Sequence, residues 1–168
     1  MVKLVSEIAG KIGRLDRYQS LDVKPCLRRN NRIRSIHSSL AIEANSLSID
    51  AVRGVIDGKT VIGPVKEIQE VKNAYRAYDE LGKFAPFSID ELKRLRGVMA
   101  PPAMRVSALT DDLFSWMKQA RKDVHPLILS SVFHYEFVFI HPFADGNGRM
   151  ARLWQTSLLC EWNRVFQY

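Results

Sequence analysis

Apolar residues recur at helical spacing near the start of the chain. They return every three or four positions and predict an amphipathic helix over residues 2–14. The apolar positions of this helix are Leu4, Val5, Ile8 and Ile12. Pro25 suits a first helical turn and opens a longer predicted helix that runs to about Ala44, with apolar residues on one side and arginines elsewhere. The pattern therefore indicates helices that each bury one face.

Helical spacing also governs most of the remaining chain. The further predicted helices cover 47–56, 65–81, 88 to about 101, 110 to about 122, 126–140 and 153–162. Ser48 is a predicted N-cap, and Ser88 with Glu91 has the form of a capping box, in which the carboxylate reaches back to the cap. The helix over 126–140 is apolar on nearly every side, so we expect it at the centre of the fold.

One stretch departs from helical spacing. Residues 57–64 hold two glycines and a proline, a density that a helix does not easily accommodate, and Thr60, Val61 and Ile62 favour extended backbone. The stretch predicts a small β-hairpin, and the alternative is a plain surface turn. The fold class that follows is all-α, a helical bundle with one small hairpin.

Composition sets the outer limits. The 168 residues fit one domain, and apolar and charged fractions of 46% and 26% are ordinary for a globular protein. Charge interrupts the N-terminus too early for a signal peptide, and no apolar run reaches membrane length. Cys26 and Cys160 show no metal-binding or redox spacing. These features predict a cytoplasmic protein without a membrane-spanning segment.

The net charge of +7 allows an acidic partner without requiring one. A basic cluster contains Arg28, Arg29, Arg32 and Arg34, and no stacking aromatics are interleaved with it. We interpret this cluster as a solvated face. The alternative is a surface for an acidic partner, either nucleic acid or protein.

Candidate chemistry is concentrated in residues 141–152. A Gly-Asn-Gly sequence at 146–148 stands where the last helix should begin, and glycine leaves backbone N–H groups open to a ligand. The first turn of a helix offers unpaired N–H donors and the positive end of its dipole, which together make an anion site. Arg149 and Arg152 share one helix face and carry the fork of donors that suits phosphate.

Two further side chains complete this stretch. Asp145 could hold Mg²⁺ through an oxygen while phosphates supply other ligands. His141 is of the residue type that exchanges a proton most readily near neutral pH. Taken singly, the glycines could form a simple turn, the histidine could be structural and Asp145 could be an N-cap. Their combination favours phosphoryl or nucleotidyl transfer.

Residues 141–152 read His-Pro-Phe-Ala-Asp-Gly-Asn-Gly-Arg-Met-Ala-Arg. They resemble the signature of the Fic family, His-x-Phe-x-(Asp/Glu)-Gly-Asn-Gly-Arg-x-x-Arg, at every fixed position. The order and spacing from about residue 38 to 160 are also similar to a Fic core. Fic proteins typically transfer AMP from ATP to a protein hydroxyl. The resemblance implies ATP as substrate, Mg²⁺ as cofactor, and a Ser, Thr or Tyr hydroxyl on a target protein, or on the chain itself, as acceptor.

The resemblance also assigns roles within the motif. These implied assignments are the base His141, the Mg²⁺ ligand Asp145, the α- and β-phosphate ligands Gly146, Asn147, Gly148 and Arg149, the γ-phosphate ligand Arg152, and Phe143 as the anchor of the loop in the core. The loop contains a base but no evident nucleophile, so no covalent enzyme intermediate is expected.

A second motif ends the helix that Pro25 opens. Residues 38–45 read Ser-Ser-Leu-Ala-Ile-Glu-Ala-Asn, and by themselves they are a helix end with an asparagine cap. Beside the signature they resemble the family's inhibitory motif, (Ser/Thr)-x-x-x-Glu-(Gly/Asn), with Ser39 and Glu43 at its fixed positions. The resemblance implies that Glu43 pairs with Arg152 where the γ-phosphate would bind. The alternative is that Glu43 is a surface carboxylate.

The inhibitory motif has one mismatch. Ala44 stands where the family has Gly or Asn, although Asn45 follows. Because alanine is well tolerated in a helix, we expect the geometry to survive this substitution.

The resemblance extends to the organisation of the chain. It implies a single Fic domain over 1–168, with N-terminal helices including the inhibitory helix in 1–45 and the Fic core in 46–168. The predicted hairpin would be the flap, where Thr60, Val61 and Ile62 dock a target segment by strand addition. The connection at 97–102 is shorter than usual, through either a deletion or missing residues. Fic relatives commonly continue further, so a C-terminal module is expected to be missing.

Two rival functions remain open. One is a different phosphate chemistry at the same site, either phosphoryl transfer or removal of AMP with Glu43 placing a water. The other is a non-catalytic regulator or DNA-binding adaptor, although nucleic acid is expected as a partner only if a C-terminal module exists. Related inhibited Fic proteins often form dimers, so a homodimer is one expected assembly.

Overall fold

The structure, a computed structural model, describes residues 2–17, 25–92, 94 and 108–167. Within these ranges it is a bundle of helices, which confirms the all-α fold class. The helices are α1 Val2–Arg17, α2 Pro25–Ile42, α3 Ile49–Ile56, α4 Val65–Asp79, α5 described at 89–92, α6 Ala108–Ala120, α7 Pro126–Ile140 and α8 Asn147–Trp162. Short 3-10 helices follow α4 and α8, at Leu81–Lys83 and Arg164–Phe166.

The helix starts follow the predicted caps, with one difference. Ser48 caps α3 and accepts the Ala51 N–H at 3.2 Å. At the start of α5 the Ser88 hydroxyl accepts the Glu91 N–H at 3.4 Å, but the Glu91 carboxylate pairs with Arg94 at 2.7 Å instead of reaching back. Only half of the predicted capping box forms, because an arginine three residues on competes for the carboxylate. The predicted end of this helix and the 97–102 connection lie outside the described residues.

The core is built around α7 and α8, which pack against each other, and α6 also packs against α7. Trp154 of α8 and Phe133 and Phe137 of α7 are fully buried. The ring of Phe114 in α6 lies edge-on to Trp154, with 5.7 Å between the centroids. The Trp154 indole satisfies its buried N–H by donating to the Pro86 carbonyl at 2.8 Å. A buried aromatic cluster therefore fixes the helix whose first two turns carry the signature arginines.

The expectation that α7 lies at the centre of the fold is only partly correct. The helix packs against α6 and α8. One of its sides is exposed and carries Tyr135, Val138 and Phe139, which are 67%, 40% and 75% exposed. No helix in the described ranges has both the length and the apolar character needed to cross a bilayer.

The predicted β-hairpin is wrong. Residues 57–64, all of them described, contain no strand. The chain turns at Gly58, with a φ of 72°. Val61 then packs over Gly54, where an added Cβ would lie 2.9 Å from a Val61 methyl, while Ile62 is 99% exposed. Too few residues remain before α4 for two paired strands, so the β-branched residues serve a turn and one apolar contact.

The end of α2 also differs from the prediction. The helix stops at Ile42, and the N–H groups of Ala44 and Asn45 bond to the carbonyls of Ala41 and Leu40, each at 3.1 Å. This is the Schellman pattern, whose penultimate residue is left-handed. Ala44 accordingly has a φ of 65°. The expectation that its helical propensity preserves the geometry is therefore wrong in its reason, because this position is not helical and suits Gly or Asn.

Part of the basic cluster on α2 is paired within the chain. Arg29 pairs with Asp57, and Arg32 bonds to Asp79 at 2.7 Å while its guanidinium lies 5.7 Å from the centre of the Tyr75 ring. These contacts join α2 to α3 and α4. Arg29 and Arg32 thus have a role in packing the N-terminal helices.

Candidate active site

The loop between α7 and α8 is clamped by one side chain. Asn147, which is 3% exposed, accepts the Phe143 N–H through Oδ1 at 2.9 Å and donates from Nδ2 to the Phe143 carbonyl at 2.6 Å. Gly146 precedes α8 with a φ of 79°. Because the Asn147 side chain is buried and both of its polar atoms bond to the Phe143 backbone, a phosphate contact from this residue is expected from its backbone N–H.

The same loop presents a histidine at the surface. α7 ends at Ile140, and His141 adopts a left-handed conformation with its N–H bonded to the Phe137 carbonyl at 3.1 Å. Phe143 is 3% exposed and lies edge-on to Phe137, with 5.8 Å between ring centroids. The core therefore holds one end of the loop, while the His141 side chain remains exposed.

Arg149 is the more buried of the two signature arginines, at 6% exposure. Its guanidinium pairs with Glu70 of α4 at 3.4 Å and with Asp145 at 3.3 Å. Its Nε is buried and has no hydrogen-bond partner among the described residues. A buried donor without an acceptor is costly, and a phosphate oxygen at the start of α8 is one group that would satisfy it.

Arg152 is bound by the end of α2. Its Nε donates to the Ser39 hydroxyl at 3.0 Å, and Nη2 donates both to the Ser39 carbonyl at 2.9 Å and to Glu43 Oε1 at 2.8 Å. A Cβ placed on Gly148 would collide with Glu43 Oε1. The Glu43 carboxylate therefore lies against the first turn of α8, where the unpaired N–H groups and the helix dipole attract an anion.

Tyr78 supports the contact between Ser39 and Arg152. Its side chain is 5% exposed and its hydroxyl bonds to Ser39. Burial raises the pKa of Tyr78, and this outweighs the opposite influence of the nearby Arg152 charge and of the bond to Ser39. The sequence indicated only a packing role for Tyr78. No local signal in the sequence connects it to Ser39.

Two carboxylates of α4 hold the turn that follows Glu43. Asn45, which is 9% exposed, donates through Nδ2 to Glu70 Oε2 at 3.0 Å and to the Glu67 carbonyl at 3.3 Å. The Glu67 carboxylate accepts the N–H and hydroxyl of Ser46 at 2.7 and 2.8 Å. The sequence did not single out these glutamates, because nothing in their spacing distinguishes them from other surface carboxylates on a helix.

Asp145 fits the expected Mg²⁺ ligand in position and chemistry. Its side chain is 54% exposed, and it accepts the Gly146 N–H through Oδ1 at 2.7 Å. In the part of the chain that the structure describes, no cluster of three or more acidic, His or Cys side chains could hold a metal. One carboxylate is nevertheless enough when substrate phosphates and water complete the octahedron that Mg²⁺ prefers.

The fold and the site together define an all-α protein in which a helix N-terminus preceded by glycine lies after an exposed histidine on the same loop. The chain belongs to the Fic/DOC family, whose model matches residues 30–159.

The relatives that this chain matches include proteins named protein adenylyltransferase Fic. The protein from Aedes aegypti is 27% identical over 163 residues, which cover 76% of this chain and 32% of that protein. The protein from Nematostella vectensis is 28% identical over 160 residues, covering 74% of this chain and 36% of that protein. The chain thus spans about a third of the length of these relatives.

Solved structures support the fold over nearly the whole chain. A crystal structure of a Fic family protein from Desulfovibrio desulfuricans G20 is 41% identical, with a TM-score of 0.91, and the match covers 99% of this chain and 59% of that one. A Fic-domain signalling protein from Bacteroides thetaiotaomicron is 20% identical with a TM-score of 0.70, covering 82% and 66% of the two chains. The latter similarity concerns the fold alone.

Proposed function

We propose that this chain is a Mg²⁺-dependent protein adenylyltransferase that transfers AMP from ATP to a hydroxyl of a target protein and is inhibited by its own Glu43. The observation that carries the proposal is the Glu43 carboxylate at the first turn of α8, bonded to Arg152 at 2.8 Å. This contact supports the proposal, because an arginine and a helix N-terminus that attract a carboxylate would also attract a phosphate. The adenylyltransferase names of relatives at 27% and 28% identity favour ATP as the source of the phosphate.

In the proposed reaction the target hydroxyl oxygen attacks the α-phosphorus of ATP. The bond between the α-phosphorus and the bridging oxygen breaks, the target carries AMP, and pyrophosphate leaves. His141, exposed at the mouth of the loop, accepts the hydroxyl proton. The N–H groups of the first turn of α8 and the Nε of Arg149 hold the phosphates in line for this attack.

Asp145 would hold Mg²⁺ together with the phosphates. The ion would neutralise the charge that develops on the leaving pyrophosphate. Arg152 would hold the γ-phosphate. With Glu43 bonded to it, the γ-phosphate cannot take this position, so the α-phosphate is poorly aligned for attack.

The magnitude of this competition is sufficient for inhibition. Two unit charges at about 4 Å attract by roughly 4 kcal/mol at an effective dielectric near 20, before desolvation is subtracted. A net advantage of about 2 kcal/mol would still shift the competition more than tenfold, since about 1.4 kcal/mol corresponds to one decade. Docking of the target along residues 60–62 belongs to the proposal, although these residues form no hairpin before the target binds.

The test uses ATP labelled at the α- or the γ-phosphate, with Mg²⁺ and host proteins. We expect label from the α-position only, stronger with Glu43→Gly than with the parent and absent with Glu43→Gly/His141→Ala. Label from the γ-position only would replace the proposal with kinase-like transfer. Loss of AMP from proteins labelled beforehand, faster with the parent than with Glu43→Gly, would replace it with AMP removal. No label with any variant would refute it.

A further inference from the structure

Glu70 of α4 contacts both a signature arginine and the turn behind Glu43. Its Oε1 lies 3.4 Å from Arg149 Nη1, and its Oε2 accepts a hydrogen bond from Asn45 at 3.0 Å. Glu70 is mostly buried, with 19% of its side chain exposed. The two oxygens therefore have different partners on different elements.

The two arginines of α8 are consequently both connected to the end of α2. Arg152 is connected directly, through Glu43. Arg149 is connected through Glu70, which bonds to Asn45 two residues after Glu43. The intervening Ala44 is held at a φ of 65°, an unfavourable conformation for alanine, so the turn depends on outside contacts to keep its shape.

We infer that Glu70 is a positioning residue for the inhibitory carboxylate. By holding Asn45, it fixes the left-handed turn and thereby keeps Glu43 on Arg152. By pairing with Arg149, it joins this turn to the residue that would hold the α- and β-phosphates. The inference rests on the proposed function, in which Glu43 and the γ-phosphate compete for Arg152.

Glu70→Gln is the sharpest perturbation that preserves shape. An amide has one acceptor oxygen and one donor nitrogen, whereas the carboxylate accepts through both oxygens. In either orientation Gln therefore places a donor against Arg149 or against Asn45, both of which are donors. One of the two contacts must be lost. Asn45 is neutral, while Arg149 is a buried cation, so the amide oxygen is expected to turn to Arg149 and leave Asn45 without its acceptor.

The experiment compares the affinities for ADP and ATP by calorimetry, with Mg²⁺ and in a His141→Ala background that stops transfer. Both nucleotides carry the phosphates assigned to Arg149, and only ATP has the γ-phosphate for which Glu43 competes. We expect Glu43→Gly to raise the preference for ATP over ADP about tenfold or more. Glu70→Gln should raise it about threefold with Glu43 present and leave it unchanged in the Glu43→Gly protein.

Glu67→Gln is the matched control. It removes the same charge one helical turn away on α4, and its amide oxygen can still accept from Ser46. We expect this variant to leave the ATP preference unchanged. A general charge effect would raise the preference with Glu67→Gln too, and in both backgrounds, because ATP carries more negative charge than ADP. That result, or no response to Glu70→Gln with Glu43 present, would overturn the inference.

The outcomes also separate this inference from the proposed inhibition. If Glu43→Gly raises the ATP preference and Glu70→Gln does not, the competition stands and the positioning role falls. If Glu43→Gly itself leaves the preference unchanged, there is no competition for the γ-phosphate and both fall.

Discussion

The C-terminal ends of α2 and α3 have the same backbone hydrogen-bond pattern but different residues at the left-handed position. At α3, Gly58 and Lys59 donate their N–H groups to the carbonyls of Val55 and Gly54 at 3.1 and 2.9 Å, which is the Schellman pattern seen after α2. The left-handed residue has a φ of 72° at α3 and 65° at α2. It is glycine in the first case and alanine in the second.

Each end also carries a carboxylate paired with an arginine. Asp57 precedes the left-handed residue of α3 and pairs with Arg29 on α2. Glu43 occupies the equivalent position after α2 and pairs with Arg152. Arg29 is half-exposed on the surface, whereas Arg152 stands at the candidate anion site. The same local structure thus makes an ordinary helix end in one place and, in the other, places a carboxylate on the arginine that is proposed to bind the γ-phosphate.

The difference in the left-handed residue indicates where the turn after α2 gets its stability. The turn after α3 is satisfied locally, because glycine adopts its conformation without strain. The turn after α2 carries an alanine that costs about 1 kcal/mol in this conformation. Its shape is supported from outside, by the contacts of Asn45 and Ser46 with Glu67 and Glu70.

Removing the carboxylate at each end should produce the largest contrast. Glu43→Gly is expected to raise AMP transfer to target protein more than tenfold, as the γ-phosphate gains Arg152 at a net difference of about 2 kcal/mol. Asp57→Gly, which deletes the corresponding carboxylate beside Arg29, should leave the initial rate within about twofold. Rates with α-labelled ATP measure both. Equal activation by the two substitutions would mean that general loosening, rather than release of Arg152, increases activity.

Truncating the side chain after the left-handed position should give the next largest effect, a loss of stability. Asn45→Ala deletes the side-chain bonds to Glu70, to the Glu67 carbonyl and to the Leu47 N–H, so the free energy of unfolding should fall by about 1.5 kcal/mol. Lys59→Ala at the equivalent position of α3 should change it by less than about 0.5 kcal/mol, since Lys59 is exposed. Urea unfolding of the parent, Asn45→Ala and Lys59→Ala proteins measures both changes. A loss no larger than that of Lys59→Ala would show that α4 does not support the turn.

Substituting alanine for Gly58 and glycine for Ala44 should give the smallest changes in the free energy of unfolding, similar in size and opposite in sign. Gly58→Ala should lower the free energy of unfolding by about 1 kcal/mol, and an added Cβ there would meet no atom within 4 Å, so only the backbone conformation is tested. Ala44→Gly should raise it by a similar amount and lower basal AMP transfer several-fold by holding Glu43 in place. In the Glu43→Gly protein, Ala44→Gly should not affect transfer. Destabilisation by Ala44→Gly would contradict the assigned strain.

The sequence was sufficient for the features that local patterns encode. Helical spacing and Ser48 located the helices, and the fold class is confirmed by the structure. The motif over 141–152 predicted that a helix begins at its Gly-Asn-Gly sequence, and in the structure α8 begins at Asn147, directly after Gly146. Such features were predictable because each depends on residues within one or two turns of one another.

The features that escaped prediction depend on distant residues. Alanine favours a helix when taken alone, and the left-handed conformation of Ala44 follows from contacts that α4 makes with the next two residues. Val61 is β-branched and favours a strand when taken alone, yet in the structure it packs in the space over Gly54. The pairing of Glu70 with Arg149 joins residues 79 positions apart, a separation beyond the reach of periodicity.

Gly148 also bears on how a lineage could escape from inhibition. Any side chain at this position would collide with Glu43, but it would also crowd Arg152 and the first turn of α8, where the proposal places the phosphates of ATP. Arg152 is similarly tied to both the inhibitor and the proposed γ-phosphate. Substitutions in α8 would therefore remove inhibition and substrate binding together. Under selection for a more active enzyme, we expect adaptive changes to accumulate at residues 43–45 and on the facing side of α4, while α8 stays constant.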